Sequence, residues 1–296
     1  MKFRSLLAAV AASMLAVPPA ALADMPPGPA AVLAAAPDGD WADIAPDDLL
    51  VIDLARGGRV VIALADDFAP VHIANIRTMA KAAWYDSLVI ERVQDNYVVQ
   101  WGDPSGQKPL PAGLTNPAPA EYTRPAVGMT FEALPYPDTF AEHVGISGAF
   151  PAAGHGDEAW LAHCYGMVGV GRDLTPDTGT GAELYAVIGQ SPRQLDRNIA
   201  LVGRVVAGME VLSALPRGGG DMGFYADPGQ RIAIRQVRLA ADLPPSDRPR
   251  IQVLKAASAT YRAWVTVKAN RQDSFYSRPA GALDLCNAMP PVRAAK

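Results

Sequence analysis

Arg92 and Gln100 lie in two runs rich in β-branched and aromatic residues, Leu88 to Val93 and Tyr97 to Gly102, on either side of the turn-forming pair Asp95-Asn96. Paired as a hairpin, those runs would set a guanidinium beside a side-chain amide. A guanidinium keeps its charge and presents several fixed N–H donors, so the chemistry on offer is oriented hydrogen bonding rather than covalent attack. Other reactive groups are less well placed. His143, His155 and His163 fall at separations that match no metal-ligand spacing, and they read as surface or internally satisfied histidines. Cys164 follows His163 directly, but neighbours on a strand point to opposite faces, which makes a poor nucleophile and base. No nucleophile elbow or paired histidine and carboxylate spacing argues for a hydrolase. Gly179 and Gly181 allow a sharp turn before the strand Leu184 to Ile188. No Lys-Ser or Lys-Thr pair closes that loop and no helical pattern follows, so it is not a phosphate cradle.

The elements that must position Arg92 begin forty residues earlier in the chain. Leu49 to Leu54 and Arg59 to Leu64 are apolar runs flanking Ala55-Arg56-Gly57-Gly58, where glycine can take the positive φ of a tight hairpin. Pro70 then stands where a first helical turn tolerates proline, and Ile73, Ile76, Ala80 and Ala83 recur behind it at helical spacing. The order is hairpin, helix, hairpin.

Around this unit the chain divides by composition. Lys2 and Arg4 precede an apolar run from Leu6 to Val17, and Ala21-Leu22-Ala23 supplies the small residues of a secretory cleavage site. Residues 1–23 therefore read as a signal peptide, which places the mature chain outside the cytoplasm, in the periplasm; an uncleaved anchor is the alternative. No later stretch approaches the roughly 18 apolar residues of a membrane span. With 50% hydrophobic and 19% charged residues and a formal net charge of −4, the chain has no electrostatic footprint for nucleic acid or anionic membrane. Residues 24–48, rich in alanine and proline, read as a linker docking through Trp41. Residues 104–160 are dense in proline and glycine and read as a long loop insertion. In the tail, 244–296, Tyr261, Val265 and Ala269 share a helical face, and Phe275-Tyr276 and Leu283 to Leu285 are candidate short strands. Cys164 and Cys286 are the only cysteines. A bond between them would staple the tail to the loop before Gly166, and two free thiols are equally compatible with the sequence.

Three blocks of sequence resemble the cyclophilins. Ile90-Glu91-Arg92-Val93, Tyr97-Val98-Val99-Gln100 and Gly102-Asp103 follow, without a gap, that family's pattern of phenylalanine, histidine, arginine, valine, a turn, phenylalanine, two apolar residues, glutamine, two glycines and aspartate. The preceding helix, with Ala69-Pro70 at its start, Asn75 in its middle and Trp84-Tyr85-Asp86 after it, is similar as well. Met167 to Arg172 with Pro176 to Tyr185 resembles the second family block, in which Val170 takes a methionine position, Glu183 a glutamine and Tyr185 a phenylalanine. Leu195 to Val205, continued by Gly208 to Leu212, resembles the third, and Gln230 to Leu239 takes the place of the last strand.

The resemblance implies a mainly β fold over residues 49–243: a closed eight-stranded antiparallel barrel capped by two helices, with the 104–160 insertion and the C-terminal appendage added. It also implies peptidyl-prolyl cis-trans isomerisation of exported, proline-containing polypeptides, without a cofactor or metal. In that reading Arg92 and Gln100 are catalytic, while Tyr97, Val98, Val170, Glu183, Tyr185 and Ile199 bind substrate. This chain departs from the pattern at two of these positions and one other: Ile199 stands where many cyclophilins have histidine, Glu183 replaces a neutral amide with a carboxylate that would pair with Arg92, and Gln194 stands where many have tryptophan. These departures support a second reading, a proline-binding or scaffolding module with weak catalysis. Oligomeric state is not specified by these patterns.

Overall fold

The computed structural model describes residues 27–273 and 275–295, so the expected signal peptide lies outside the described residues. The chain runs through α1 (Pro29–Ala34), β1 (Trp41–Asp43), β2 (Leu49–Leu54), β3 (Arg59–Leu64), α2 (Pro70–Lys81), β4 (Val89–Val93) and β5 (Val98–Gly102). Next come β6 (Arg124–Pro125), β7 (Glu132–Ala133), β8 (His143–Ser147), β9 (Phe150–His155), β10 (Glu158–Leu161), β11 (Met167–Val170) and β12 (Leu184–Val187). The final elements are β13 (Leu201–Ala207), α3 (Met209–Ser213), β14 (Ile232–Leu239), β15 (Ile251–Leu254), α4 (Ala259–Ala269) and β16 (Val292–Ala294).

Eight strands close the antiparallel barrel that the resemblance implies, in the order β11-β12-β5-β4-β14-β2-β3-β13. Alternation sends Leu50, Ile52, Leu54, Val60, Ile62 and Leu64 into its interior, where Ile73, Ile76 and Met79 of α2 and Leu212 of α3 close the ends. The opposite faces of β2 and β3 are not solvated. Leu49, Val51, Val61 and Ala63 pack against Ala240 and Leu243, just after the last barrel strand, and Ile251 of the tail. That second cover explains why Leu49 to Ile52 reads as an unbroken apolar run rather than an alternating one.

Helix α2 has no capping side chain of its own, since Ala69 precedes it. Glu121 of the insertion caps it instead, its carboxylate accepting from the Val71 and His72 backbone N–H groups at 2.9 and 3.0 Å. A carboxylate there also complements the positive end of the helix dipole.

Three stretches differ from the sequence reading. Residues 104–160 are not simply a loop, because β6 to β10 form a five-stranded sheet in the order β6-β10-β9-β8-β7. Its strands contain Pro151, Gly145 and Gly154 and many alanines, so they lack the branched alternation that marks a strand. The stretch 24–48 docks through Trp41 as expected, but it also forms regular structure. Among the described residues it forms α1 and β1, and β1 pairs with β15 so that Trp41 lies opposite Leu254. In the tail, α4 forms as predicted and buries Tyr261, Val265 and Ala269. The tail strands, however, are β15 and β16; Phe275-Tyr276 is exposed, and Leu285 begins a short 3-10 turn. A second core joins the inserted sheet to the tail through Trp41, Ile146, Trp160, Tyr261, Trp264 and Leu285. Cys164 and Cys286 are bonded across this core, with Cα atoms 5.1 Å apart.

Candidate functional site

Pairing of β4 with β5 places Arg92 opposite Gln100, and pairing of β5 with β12 places Gln100 opposite Tyr185. Directly paired residues share a face, so these three side chains form one row across the outside of the barrel. Val98 and Val187 flank the row two residues along, and Tyr97 and Ile199 pack against them. Together these residues bound a pocket of about 140 Å³ lined by Arg92, Tyr97, Val98, Gln100, Val170, Gly171, Arg172, Tyr185, Leu195 and Ile199. Glu183, the remaining substrate-binding expectation, lies in an adjoining cleft with Arg92, Gln100, Met222 and Phe224. Gln194 is exposed beside the pocket, and its neighbour Leu195 supplies the wall.

Arg92 is held without a direct ion pair. Its Nε donates to the Met222 carbonyl at 2.7 Å and Nη1 to Gln100 Oε1 at 2.9 Å, while Nη2 donates to the Gln94 side chain. Its guanidinium also sits 5.3 Å from the Phe224 ring centre and 5.6 Å from that of Tyr97. Three of the five guanidinium N–H groups are thus committed, which leaves two for a ligand. The expected pairing of Glu183 with Arg92 takes another form: Gln100 Nε2 donates to Glu183, so the amide bridges carboxylate and guanidinium. Burial pushes the Glu183 carboxyl above the usual range, opposed in part by the Gln100 hydrogen bond.

Tyr185 is fixed from behind. Its hydroxyl lies 2.9 Å from His163 Nε2, and His163 Nδ1 lies 3.0 Å from Asp196 Oδ1. Asp196 Oδ2 in turn accepts from Arg193 Nε at 2.5 Å, and Arg193 reaches Asp138 of the insertion. All of these groups are buried or nearly so. Gly169 pairs with Tyr185, and a Cβ there would fall 2.3 Å from the tyrosine hydroxyl, so the ring position requires glycine. Sequence reasoning assigned His163 correctly as a satisfied histidine but did not link it to Tyr185. It also missed Met222 and Phe224, which arrive on a glycine-rich loop with no periodic signal.

Glu91, beside Arg92 in sequence, carries a testable consequence for stability. Burial, reinforced by the charge of Glu183, raises its carboxyl to about 7. The native state therefore holds a proton that the unfolded chain has lost, and stability falls as pH rises between about 4.5 and 7. Glu91→Gln should flatten that decline by an amount on the order of 2 kcal/mol after allowance for screening. Urea midpoints at pH 5 and pH 8 check it; equal declines in both proteins would contradict it.

No helix among the described residues is long and apolar enough to cross a membrane, and no group of three or more histidine, cysteine or acidic residues there is arranged to hold a metal.

Residues 50–239 match the family model described as cyclophilin type peptidyl-prolyl cis-trans isomerase/CLD. Over 49 residues, 17% of this chain, the sequence is 39% identical to the peptidyl-prolyl cis-trans isomerase ppi1 of Schizosaccharomyces pombe. Over 168 residues, 53% of this chain, it is 26% identical to the peptidyl-prolyl cis-trans isomerase-like 4 of Neurospora crassa. The matches span 32% and 28% of the length of those two curated relatives. Among solved structures, cyclophilin AquaCyp293 from Hirschia baltica is similar in fold, with a TM-score of 0.68 and 22% identity, covering 90% of this chain and 98% of that one.

Proposed function

Because the chain belongs to the cyclophilin-type peptidyl-prolyl cis-trans isomerase family, we propose that it accelerates rotation about X-Pro bonds in exported polypeptides, in the periplasm. The observation that carries this reading is the cross-strand row Arg92, Gln100, Tyr185 facing a small pocket with apolar walls. Rotation about an amide faces a barrier of about 18–20 kcal/mol because the nitrogen lone pair is delocalised into the carbonyl. In the twisted transition state that lone pair returns to nitrogen and becomes a hydrogen-bond acceptor. The proline ring enters the slot formed by Tyr97, Val98, Tyr185, Leu195 and Ile199, and a free N–H of Arg92 donates to the prolyl nitrogen. Gln100 holds the guanidinium plane in place. The donor meets its acceptor only when the amide twists, so the interaction favours the transition state over either ground state. No bond to the protein forms, and no proton is transferred.

The basic residues Lys2 and Arg4, the apolar run after them and Ala21-Leu22-Ala23 support export. The test of activity is exchange spectroscopy on a short Ala-Pro peptide. The isomerase reading expects faster cis-trans exchange with catalytic amounts of protein, and unchanged exchange with folded protein would overturn it.

The carboxylate of Glu183 and the aliphatic Ile199 favour a second reading, a proline-binding module with little turnover. The two readings separate on Glu183→Gln and Ile199→His. If catalysis has decayed, removing the Glu183 charge should raise kcat/KM roughly two- to fivefold, by freeing the Gln100 donor from a neighbouring anion. A wild type already limited by neither residue would change little in either variant. In a module with decayed catalysis, the double variant should exceed both singles.

A further inference from the structure

The inserted sheet carries a cavity that the proline slot does not use. Its volume is about 440 Å³, larger than the slot. Ala153 and Gly154 of β9 and Ala159 of β10 make its floor, where strand positions ordinarily carry branched or aromatic side chains. Residues 126–136 fold back above that floor and contribute Met129, Phe131, Leu134 and Tyr136. Small residues beneath large ones leave an open, mostly apolar chamber of ligand-binding size.

The charges around it have one sign. Glu142, His143 and Glu158 line the cavity, and no lysine or arginine does. Glu158 makes no side-chain hydrogen bond or ion pair among the described residues, and Glu142 meets the exposed His143 and His155 at 3.5 and 3.3 Å and accepts from the Gly156 backbone N–H at 3.4 Å. Across residues 104–160 there are six carboxylates and two cations, Lys108 and Arg124. Both cations are engaged elsewhere, Lys108 on the Trp84 and Asp86 carbonyls and Arg124 on the Asp67 carbonyl. Two of the carboxylates are also accounted for: Glu121 caps α2 and Asp138 pairs with Arg193. The cavity mouth therefore holds unneutralised negative charge over an aromatic wall.

We propose that this cavity is a second polypeptide-binding site, separate from the proline slot, and that it takes a lysine or arginine side chain. The aliphatic stem lies against Met129, Phe131 and Tyr136, and the cationic head meets Glu142 and Glu158. An acidic side chain would be repelled there, and a wholly apolar one would desolvate both carboxylates without compensation. Docking here tethers a client chain that carries basic residues, and it raises the local concentration of that chain's proline segments at the slot.

The experiment is an NMR titration of the full-length mature protein with the end-capped peptide Ala-Leu-Lys-Ala-Ala. The peptide lacks proline, so its binding is independent of isomerase activity. Saturable shifts should appear at Leu134, Ala153 and Ala159, weaken with added salt, and persist in Arg92→Ala. The double variant Glu142→Gln/Glu158→Gln alters two exposed side chains, so its fold and its turnover of an Ala-Pro peptide should be retained, while the lysine peptide binds roughly three- to tenfold more weakly. Ala133→Phe, which narrows the cavity from its rim, should abolish the shifts. Equal binding of the peptide with glutamate in place of lysine overturns the proposal. So do shifts centred on Tyr97 and Ile199, or no saturable binding at all.

Discussion

Arg92→Ala is expected to lower kcat/KM for an Ala-Pro peptide on the order of 100-fold, the typical effect of removing one preorganised donor from a developing charge. Arg92 is positioned for that role by three hydrogen bonds and two aromatic rings, all of which hold it before a ligand arrives. The loss should fall mainly on kcat, because the apolar walls of the slot remain to bind the proline ring. Arg92→Lys should recover little, since an ammonium cannot reach Gln100, Gln94 and the Met222 carbonyl at once while still offering a donor to the pocket. Exchange spectroscopy on both variants, with near-ultraviolet dichroism to verify the fold, checks the expectation. Wild-type turnover in Arg92→Ala would remove Arg92 from the mechanism.

Asp196→Ala is expected to cost about 3 kcal/mol of stability, because it removes the shared acceptor of two buried donors, the His163 backbone N–H and Arg193 Nε, although Asp138 still pairs with Arg193. Asp196 accepts from the His163 backbone N–H at 2.9 Å and from Arg193 Nε at 2.5 Å, and both partners are buried. Burial by itself raises the Asp196 carboxyl, but the His163 hydrogen bond and the Arg193 charge outweigh it and hold the group below the usual range. The stability so gained is present above the unfolded value near 3.8 and is lost as pH falls through the lower native value. Urea unfolding at pH 7 and pH 3 should therefore show a large gap between wild type and variant that narrows in acid. The same variant loosens His163, and through it Tyr185, so KM for a proline peptide should rise more than kcat falls. A variant as stable as wild type at pH 7 would show that the Arg193–Asp138 contact alone suffices.

These two residues differ in how far local sequence foretells their role. Arg92 and Gln100 belong to one hairpin, and Asp95-Asn96 sets its turn, so the register that pairs them follows from a short stretch of chain. The β2–β3 hairpin and α2 were legible for the same reason, each being specified by its own periodicity and its own turn or proline. The family blocks extended this to Tyr97, Val98, Val170, Tyr185 and Ile199, which the fold brings to one pocket although they span three separate segments.

Other features carried no local trace. The inserted sheet is built from alanine, glycine and proline, whose strand signal is weak, and pairing with equally weak neighbours makes it a sheet. Trp41 becomes a buried strand residue only because β15, more than two hundred residues later, lies beside it. Met222 reaches Arg92 across 130 residues, and Asp196 reaches His163 across 33. The sequence by itself determined the barrel hairpins, the long helix and the residue types of the slot, because periodicity and turn chemistry act over a few neighbouring positions. The tertiary structure alone decided what braces the slot, whether the two cysteines meet and where the second cavity opens, because these depend on contacts between segments far apart in the chain.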